Sequence, residues 1–424
     1  MQARAGEADG QSKAAVWIPA AAALLPFVAY YTMIGRLFWF GDDIDFVDRI
    51  GSFGLYHWMW EAYAENFVPL FKLVWGSLFY ASGGSYTFLL GASWIVHALN
   101  VLLLGVLLRR CGFKWPGVAF AQLVFALSPA NIETLCWSAQ LASLLSVLFL
   151  LLALGSFAAS PFGATAVVSS AASALCFSRG VLTGALLALA SAWEGAKSGR
   201  LARWAALALA YLAPALAVAV AITVMVPYGN EGHMAGHATA AAQYALWYLC
   251  LNPAHSILGF ESFGPRTVFL LGTIKLAVVL WAICKSQGRA RGLLVLLALF
   301  DIGYSCLLGV GRYHTGLATT ISSRYQYGSM IATLPAAGFV LSSALDRLTA
   351  RWRQVVAVAL LTAASAGLFL EWPAALGPFS DWRGTQARET ILGLPGHEDD
   401  QVVPGFPGFP IARARQLAEK YHLH

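Results

Sequence analysis

The chain has 424 residues, of which 58% are hydrophobic and only 11% charged, with a formal net charge of +6. A soluble domain is roughly 45–50% apolar and about 25% charged. A mean hydropathy of +0.65 leaves too little polar surface to cover a globule of this size. A soluble enzyme, a disordered chain and a DNA-binding domain are excluded, and the fold class is an all-α, multi-pass integral membrane protein.

The apolar residues form runs approaching the length that crosses a hydrocarbon core of about 30 Å at about 1.5 Å per residue. About eleven transmembrane helices are expected, over 14–37, 86–108, 116–129, 133–157, 163–176, 181–193, 203–226, 266–284, 292–310, 327–345 and 354–371. The first run follows a short charged N-terminus and lacks a clean small-residue cleavage site, so it reads as a retained span. Alternate connections are basic, with Arg109, Arg110 and Lys114, then Lys197, Arg200 and Arg203, then Lys285, Arg289 and Arg291, then Arg347, Arg351 and Arg353. With Arg4 and Lys13 this side carries 14 basic residues against four acids. By the positive-inside rule it is cytoplasmic, which puts the N-terminus inside and the C-terminus outside, in the plasma (inner) membrane. The charge surplus is thus a topology signal, and no nucleic-acid partner is implied. The simplest partition is one transmembrane domain over 1–372 and a short extracytoplasmic tail over 373–424. That tail holds a Pro/Gly-rich stretch at 393–410 and a short helix at 411–421.

The extracytoplasmic segments are the chemically rich ones. Directly after the first span, Asp42, Asp43, Asp45 and Asp48 put four carboxylates in seven residues. Like charges repel and acids contribute little to topology, so catalysis or ligand binding accounts for the cluster better than a solvated cap. Residues 56–80 are dense in Trp, Tyr and Phe, as suits interfacial helices. Cations stand at the outer ends of other spans: Arg179, Arg312 with His314, and Arg324. Each alone can be a snorkelling residue; together they form an anionic-ligand site facing the acidic loop. Lys275 and Asp301 fall at matching depth in consecutive spans and read as a structural ion pair. Glu231, His233 and His237 read as a flexible polar loop, because glycines at 229, 232 and 236 argue against a helix that would pair the histidines. The six cysteines show no metal spacing and read as buried apolar thiols.

The order of these features resembles the GT-C superfamily of integral membrane glycosyltransferases, especially the protein O-mannosyltransferase type and its bacterial relatives. Asp42-Asp43 matches an acidic pair in the first outer loop. Asn66-Phe67-Val68-Pro69-Leu70 is similar to the stretch that often follows, with Val68 where many members have Arg. Ser128-Pro129-Ala130-Asn131-Ile132-Glu133 with Trp137-Ser138 is similar to the third outer turn. Phe177-Ser178-Arg179 resembles a Ser-Lys-Glu turn that here keeps the cation and lacks the acid. Ser323-Arg324-Tyr325-Gln326-Tyr327 resembles an Arg-Tyr-x-Tyr motif.

The resemblance implies transfer of a sugar, with inversion, from a polyprenyl-phosphate-linked donor to a glycan, lipid or protein acceptor on the outer face. The first acid of the pair, Asp42, is then the general base, with Asp43 beside it. In an extended loop these neighbours point to opposite sides. Arg324, Arg179, Arg312 and His314 are expected at the donor phosphate, and Asp45, Lys72, Tyr325 and Tyr327 at the substrate. A phosphate leaves as an anion and needs cations rather than a second acid. No cofactor is required by this chemistry, although a divalent metal is compatible with it. The competing classes are a lipid or sugar flippase coupled through Lys275 and Asp301, and a non-catalytic subunit that binds a lipid carrier.

Overall fold

The computed structural model describes residues 17–64, 66–225, 236–260, 263–393 and 409–424. The expected loop around Glu231 and His233, and the Pro/Gly-rich run from 394 to 408, lie outside the described residues. Within them every regular element is helical, apart from an isolated antiparallel bridge between Tyr63 and Asn66. Seven helices are long and apolar enough to cross a membrane, or eight if the bent pair Trp115–Leu127 and Pro129–Cys136 forms one span. The chain is an all-α membrane protein. Some of the eleven expected spans form helices that are short for a crossing. Ala164–Cys176 has 13 residues, only about 20 Å at about 1.5 Å per residue.

At the centre, Tyr86–Arg110, Trp115–Leu127, Leu141–Ala159 and Ser323–Leu345 pack together. Ala164–Cys176, Val181–Ser198 and Leu201–Met225 flank them on one side, and Ala238–Leu251, Pro265–Lys285 and Gly288–Arg312 on the other. Gly117 and Gly338 let two central backbones touch, since a Cβ on either would collide with the other's carbonyl; small residues are the usual device for close approach in lipid. Several polar groups inside the bundle pair with one another, as a low-dielectric interior favours. His97 Nδ1 lies 2.9 Å from the Tyr327 hydroxyl, and Asn100 Nδ2 donates to that hydroxyl at 2.9 Å. The Lys275–Asp301 pair is closed at 2.5 Å, and Lys275 Nζ also donates to the Leu249 and Asn252 carbonyls at 2.8 and 2.6 Å. Outward-facing positions carry bare apolar side chains, including Leu209, Val224 and Phe269, which form a lipid-facing belt.

The two ends of the bundle differ in charge. Lys114 and Arg353 both pair with Asp346, which draws two basic connections together at one end. Arg324 opens the helix that Asp346 closes, so it lies about 33 Å away at about 1.5 Å per residue. At the Arg324 end, the acidic segment is the helix Asp42–Phe53, with Asp42, Asp43 and Asp45 in its first turn. An extended loop was expected there. Carboxylates at a helix N-terminus are stabilised by the macrodipole, so clustered acids are compatible with helix rather than loop. Residues after 372 also fold back. Trp372–Ser380, a π-helical turn at Asp381–Gln386 and Ala387–Leu392 pack on the bundle. The C-terminal helix Ile411–Tyr421 docks on the acidic helix, and Arg413 pairs with Asp48 at 2.6 Å.

Candidate active site

The acidic helix begins after Gly41, whose φ of +55° is a left-handed turn, and Asp42 lines a cavity of about 340 Å³. Its walls include Asp42, Tyr63, Asn66, Trp137, Tyr304, Arg312, Arg324, Tyr325, Trp382 and Arg383. Six separate parts of the chain therefore meet around one half-buried carboxylate. Burial pushes the Asp42 carboxyl above its ordinary range, and nearby Asp45 adds to the rise. A hydrogen bond from Tyr63 and the charges of Arg324 and Arg312 oppose the shift without cancelling it. The loop that carries Tyr63 is itself strained. Ala64, also in the wall, has φ +45°, a conformation that costs a non-glycine residue about 1–2 kcal/mol and is characteristic of functional sites. Asn66 ties this loop to the turn Ser178–Gly180, distant in the chain, by accepting from the Ser178 amide at 3.3 Å.

The cationic wall is built around Glu133. One carboxylate oxygen accepts from the Arg324 backbone amide at 3.0 Å, and the other pairs with Arg383 Nη2 at 2.9 Å. Ser323 locks the same junction, donating to the Ala130 carbonyl at 2.7 Å and accepting from the Glu133 amide at 3.1 Å. The Arg324 guanidinium lies 5.2 Å from the Tyr325 ring centre. Arg383 sits among Phe40, Trp137, Phe379 and Trp382, each ring centre 4.5–4.8 Å away, a strong cation–π setting.

Of the residues expected at the site, the structure brings Asp42, Arg312, Arg324 and Tyr325 together and sets the others apart. Asp43 is fully buried behind the cavity, accepting from Tyr86 at 2.8 Å and Ser138 at 2.7 Å. Burial pushes its carboxyl up to about 7. Asp45 pairs with Arg49 one helical turn on, at 2.8 Å. Lys72 is fully buried, and its ammonium donates to the carbonyls of Trp58 and Glu61 at 3.0 and 2.8 Å; burial lowers it to about 8. It therefore ties down the aromatic loop rather than touching the cavity. Tyr327 points into the bundle towards His97 and Asn100, because two residues along a helix rotate a side chain by about 200°. Arg179 lies one layer behind the wall, donating to the Tyr304 hydroxyl at 3.2 Å and the Ser143 carbonyl at 2.8 Å. His314 is exposed on the short turn Tyr313–Thr315, outside the wall.

Sequence reasoning missed Trp382 and Arg383 altogether, since they fall in the segment read as a tail. It noticed Glu133 and Trp137 only as parts of a turn. Among the described residues there is no group of three His, Cys, Asp or Glu side chains placed to hold a metal ion. Cys111, Cys136 and Cys176 are buried thiols, while Cys284 and Cys306 are exposed.

The arrangement provides a carboxylate with raised basicity opposite guanidinium groups, in an aromatic-walled cavity at one end of a bilayer-sized bundle. It can take a proton from a neutral ligand while holding an anionic one. No protein-family profile matches this chain, and no curated protein matches it significantly.

Proposed function

We propose that the protein is an inverting glycosyltransferase of the GT-C kind. It moves a sugar from a polyprenyl-phosphate-linked donor to an acceptor hydroxyl on the extracytoplasmic face of the plasma membrane, the side opposite the basic connections under the positive-inside rule. The observation that carries the reading is the convergence of Asp42, Arg312 and Arg324 on one cavity. Attack by a hydroxyl on an anomeric carbon needs a base, and a carboxyl raised towards neutrality is better matched to that task than an ordinary one. The leaving phosphate gains charge as the glycosidic bond breaks. Arg324 and Arg312 absorb that charge by charge-assisted contacts. The aromatic wall suits the apolar faces of a sugar ring and of the first prenyl units. Transport coupled through Lys275 and Asp301 is the weaker reading, because that pair is closed and its ammonium also bonds backbone carbonyls.

The test uses purified protein with a lipid-linked sugar donor. Asp42→Asn keeps the side-chain shape and removes its basicity, so turnover should fall by about 10²–10⁴-fold while donor binding persists. Near-normal turnover in that variant would remove Asp42 as the base.

A further inference from the structure

Arg383 belongs to no motif, yet it faces the same cavity as Arg324. It is carried on a π-helical turn, a rare geometry that recurs at functional sites. Its side chain is only 6% exposed. Glu133 satisfies Nη2, whereas Nε and Nη1 have no hydrogen-bond partner among the described residues. Arg324 Nε is buried in the same unpartnered state. Buried polar groups are normally paired, and unpaired donors beside a cavity call for an acceptor that enters it.

A purely structural role accounts poorly for these donors. The backbone around Arg383 is already anchored: its carbonyl accepts from the Phe38 amide at 3.2 Å, and Gly384 sits against the Arg36 carbonyl with no room for a Cβ. The four surrounding rings offer the guanidinium no hydrogen-bond acceptor for Nε and Nη1. Glu133 contacts the Arg324 backbone with one oxygen and the Arg383 side chain with the other, which ties the start of the Arg324 helix to the Arg383 guanidinium. Two guanidiniums beside one carboxylate leave a surplus of positive charge, which suits an anionic phosphate.

We infer that Arg383 and Arg324 form a two-guanidinium clamp on one anionic group, the phosphate of the lipid-linked donor, with Glu133 as the positioning residue that spaces them. The inference rests on reading the cavity as a donor site, and it adds a residue from the C-terminal segment to that site.

The experiment measures equilibrium binding of a long-chain polyprenyl monophosphate, and of the matching polyprenol, to the full-length protein in lipid nanodiscs. The wild type should prefer the phosphate. Arg383→Gln should reduce that preference by about ten- to 150-fold, the range for one hydrogen bond to a charged group, with polyprenol binding unchanged. Arg383→Lys keeps the charge and the ring contacts but loses the planar fork. It should lose less of the preference, and it guards against an effect on folding. Wild-type preference in both Arg383 variants, with loss in Arg324→Gln, would overturn the clamp and leave the donor site standing. A wild type that does not distinguish phosphate from alcohol would overturn the donor-site reading and the clamp with it.

Discussion

Asp42 and Asp43 are adjacent carboxylates in one helical turn, yet their surroundings give them different chemistry. Asp42 faces a cavity with three arginines; Asp43 faces two hydroxyls in the packed interior. The Asp43 carboxyl, at about 7 in the folded chain against an ordinary 3.8, holds a proton between those values that the unfolded chain has lost. Its stabilising contribution is therefore fully present below about 3.8 and is lost as pH rises through 7. The melting temperature of the wild type should fall over that interval, and Asp43→Asn, which cannot ionise, should flatten the dependence. A slope unchanged in Asp43→Asn would place the proton elsewhere. Asp43→Ala strips both hydroxyls of an acceptor and should cost about 2–6 kcal/mol, at about 1–3 kcal/mol for each unsatisfied group; a thermal shift assay reads it. Asp42, Arg324 and Arg312 were legible in the sequence because charge at the end of an apolar run needs a reason. Lys72 and Tyr327 were misjudged because nothing local in a sequence distinguishes a side chain that reaches a cavity from one that caps buried carbonyls or completes an interior network. Arg383 was illegible for a related reason: its partners Phe40, Trp137 and Glu133 lie roughly 250–340 positions away in the chain.

At the scale of elements, the acidic helix is held from behind by the C-terminal helix Ile411–Tyr421. Arg413 pairs with Asp48, Tyr421 packs against Gly51, and the last residue exchanges backbone hydrogen bonds with the turn before Tyr86. In that turn His424 donates its amide to the Gly84 carbonyl at 3.0 Å and accepts from the Tyr86 amide at 2.9 Å. Gly84 has φ +90°, and a Cβ there would collide with the carbonyls of Tyr421 and His422. Gly84→Ala should therefore release the C-terminal helix, seen as faster amide exchange over 411–424, and lower turnover by loosening the helix that carries Asp42. Protection unchanged from the wild type would mean that side-chain contacts alone keep the helix docked. The helix at 411–421 was readable from the sequence. Its destination was not, because docking depends on a glycine turn more than 300 residues upstream. The helix Trp372–Ser380 likewise fell in the segment read as a tail, because its anchor, the Trp372 indole donating to the Leu127 carbonyl, lies 245 positions away in the chain.

For the whole molecule, the orientation we propose rests on charge and docking together and does not depend on the number of spans. Lys114 and Arg353 converge on Asp346 at one end of the bundle. Two basic connections meet at that end, and under the positive-inside rule we propose that it faces the cytoplasm. Arg324 begins the same helix about 33 Å away at about 1.5 Å per residue, so the cavity faces the opposite side. The C-terminal residue is hydrogen-bonded to the turn before Tyr86, and its helix is paired with the acidic helix through Arg413 and Asp48. The C-terminus therefore shares the side of the cavity whether seven, eight or eleven helices cross. A reporter joined after His424 by a flexible linker should read as extracytoplasmic, and one inserted between Arg347 and Thr349 as cytoplasmic. The opposite pair of readings would invert the bundle and present Asp42 to the cytoplasm, where a soluble nucleotide-linked donor would have to replace the lipid-linked one. Equal readings at both positions would break the link between the C-terminal helix and the cavity end, and with it the docking that holds the acidic helix in place.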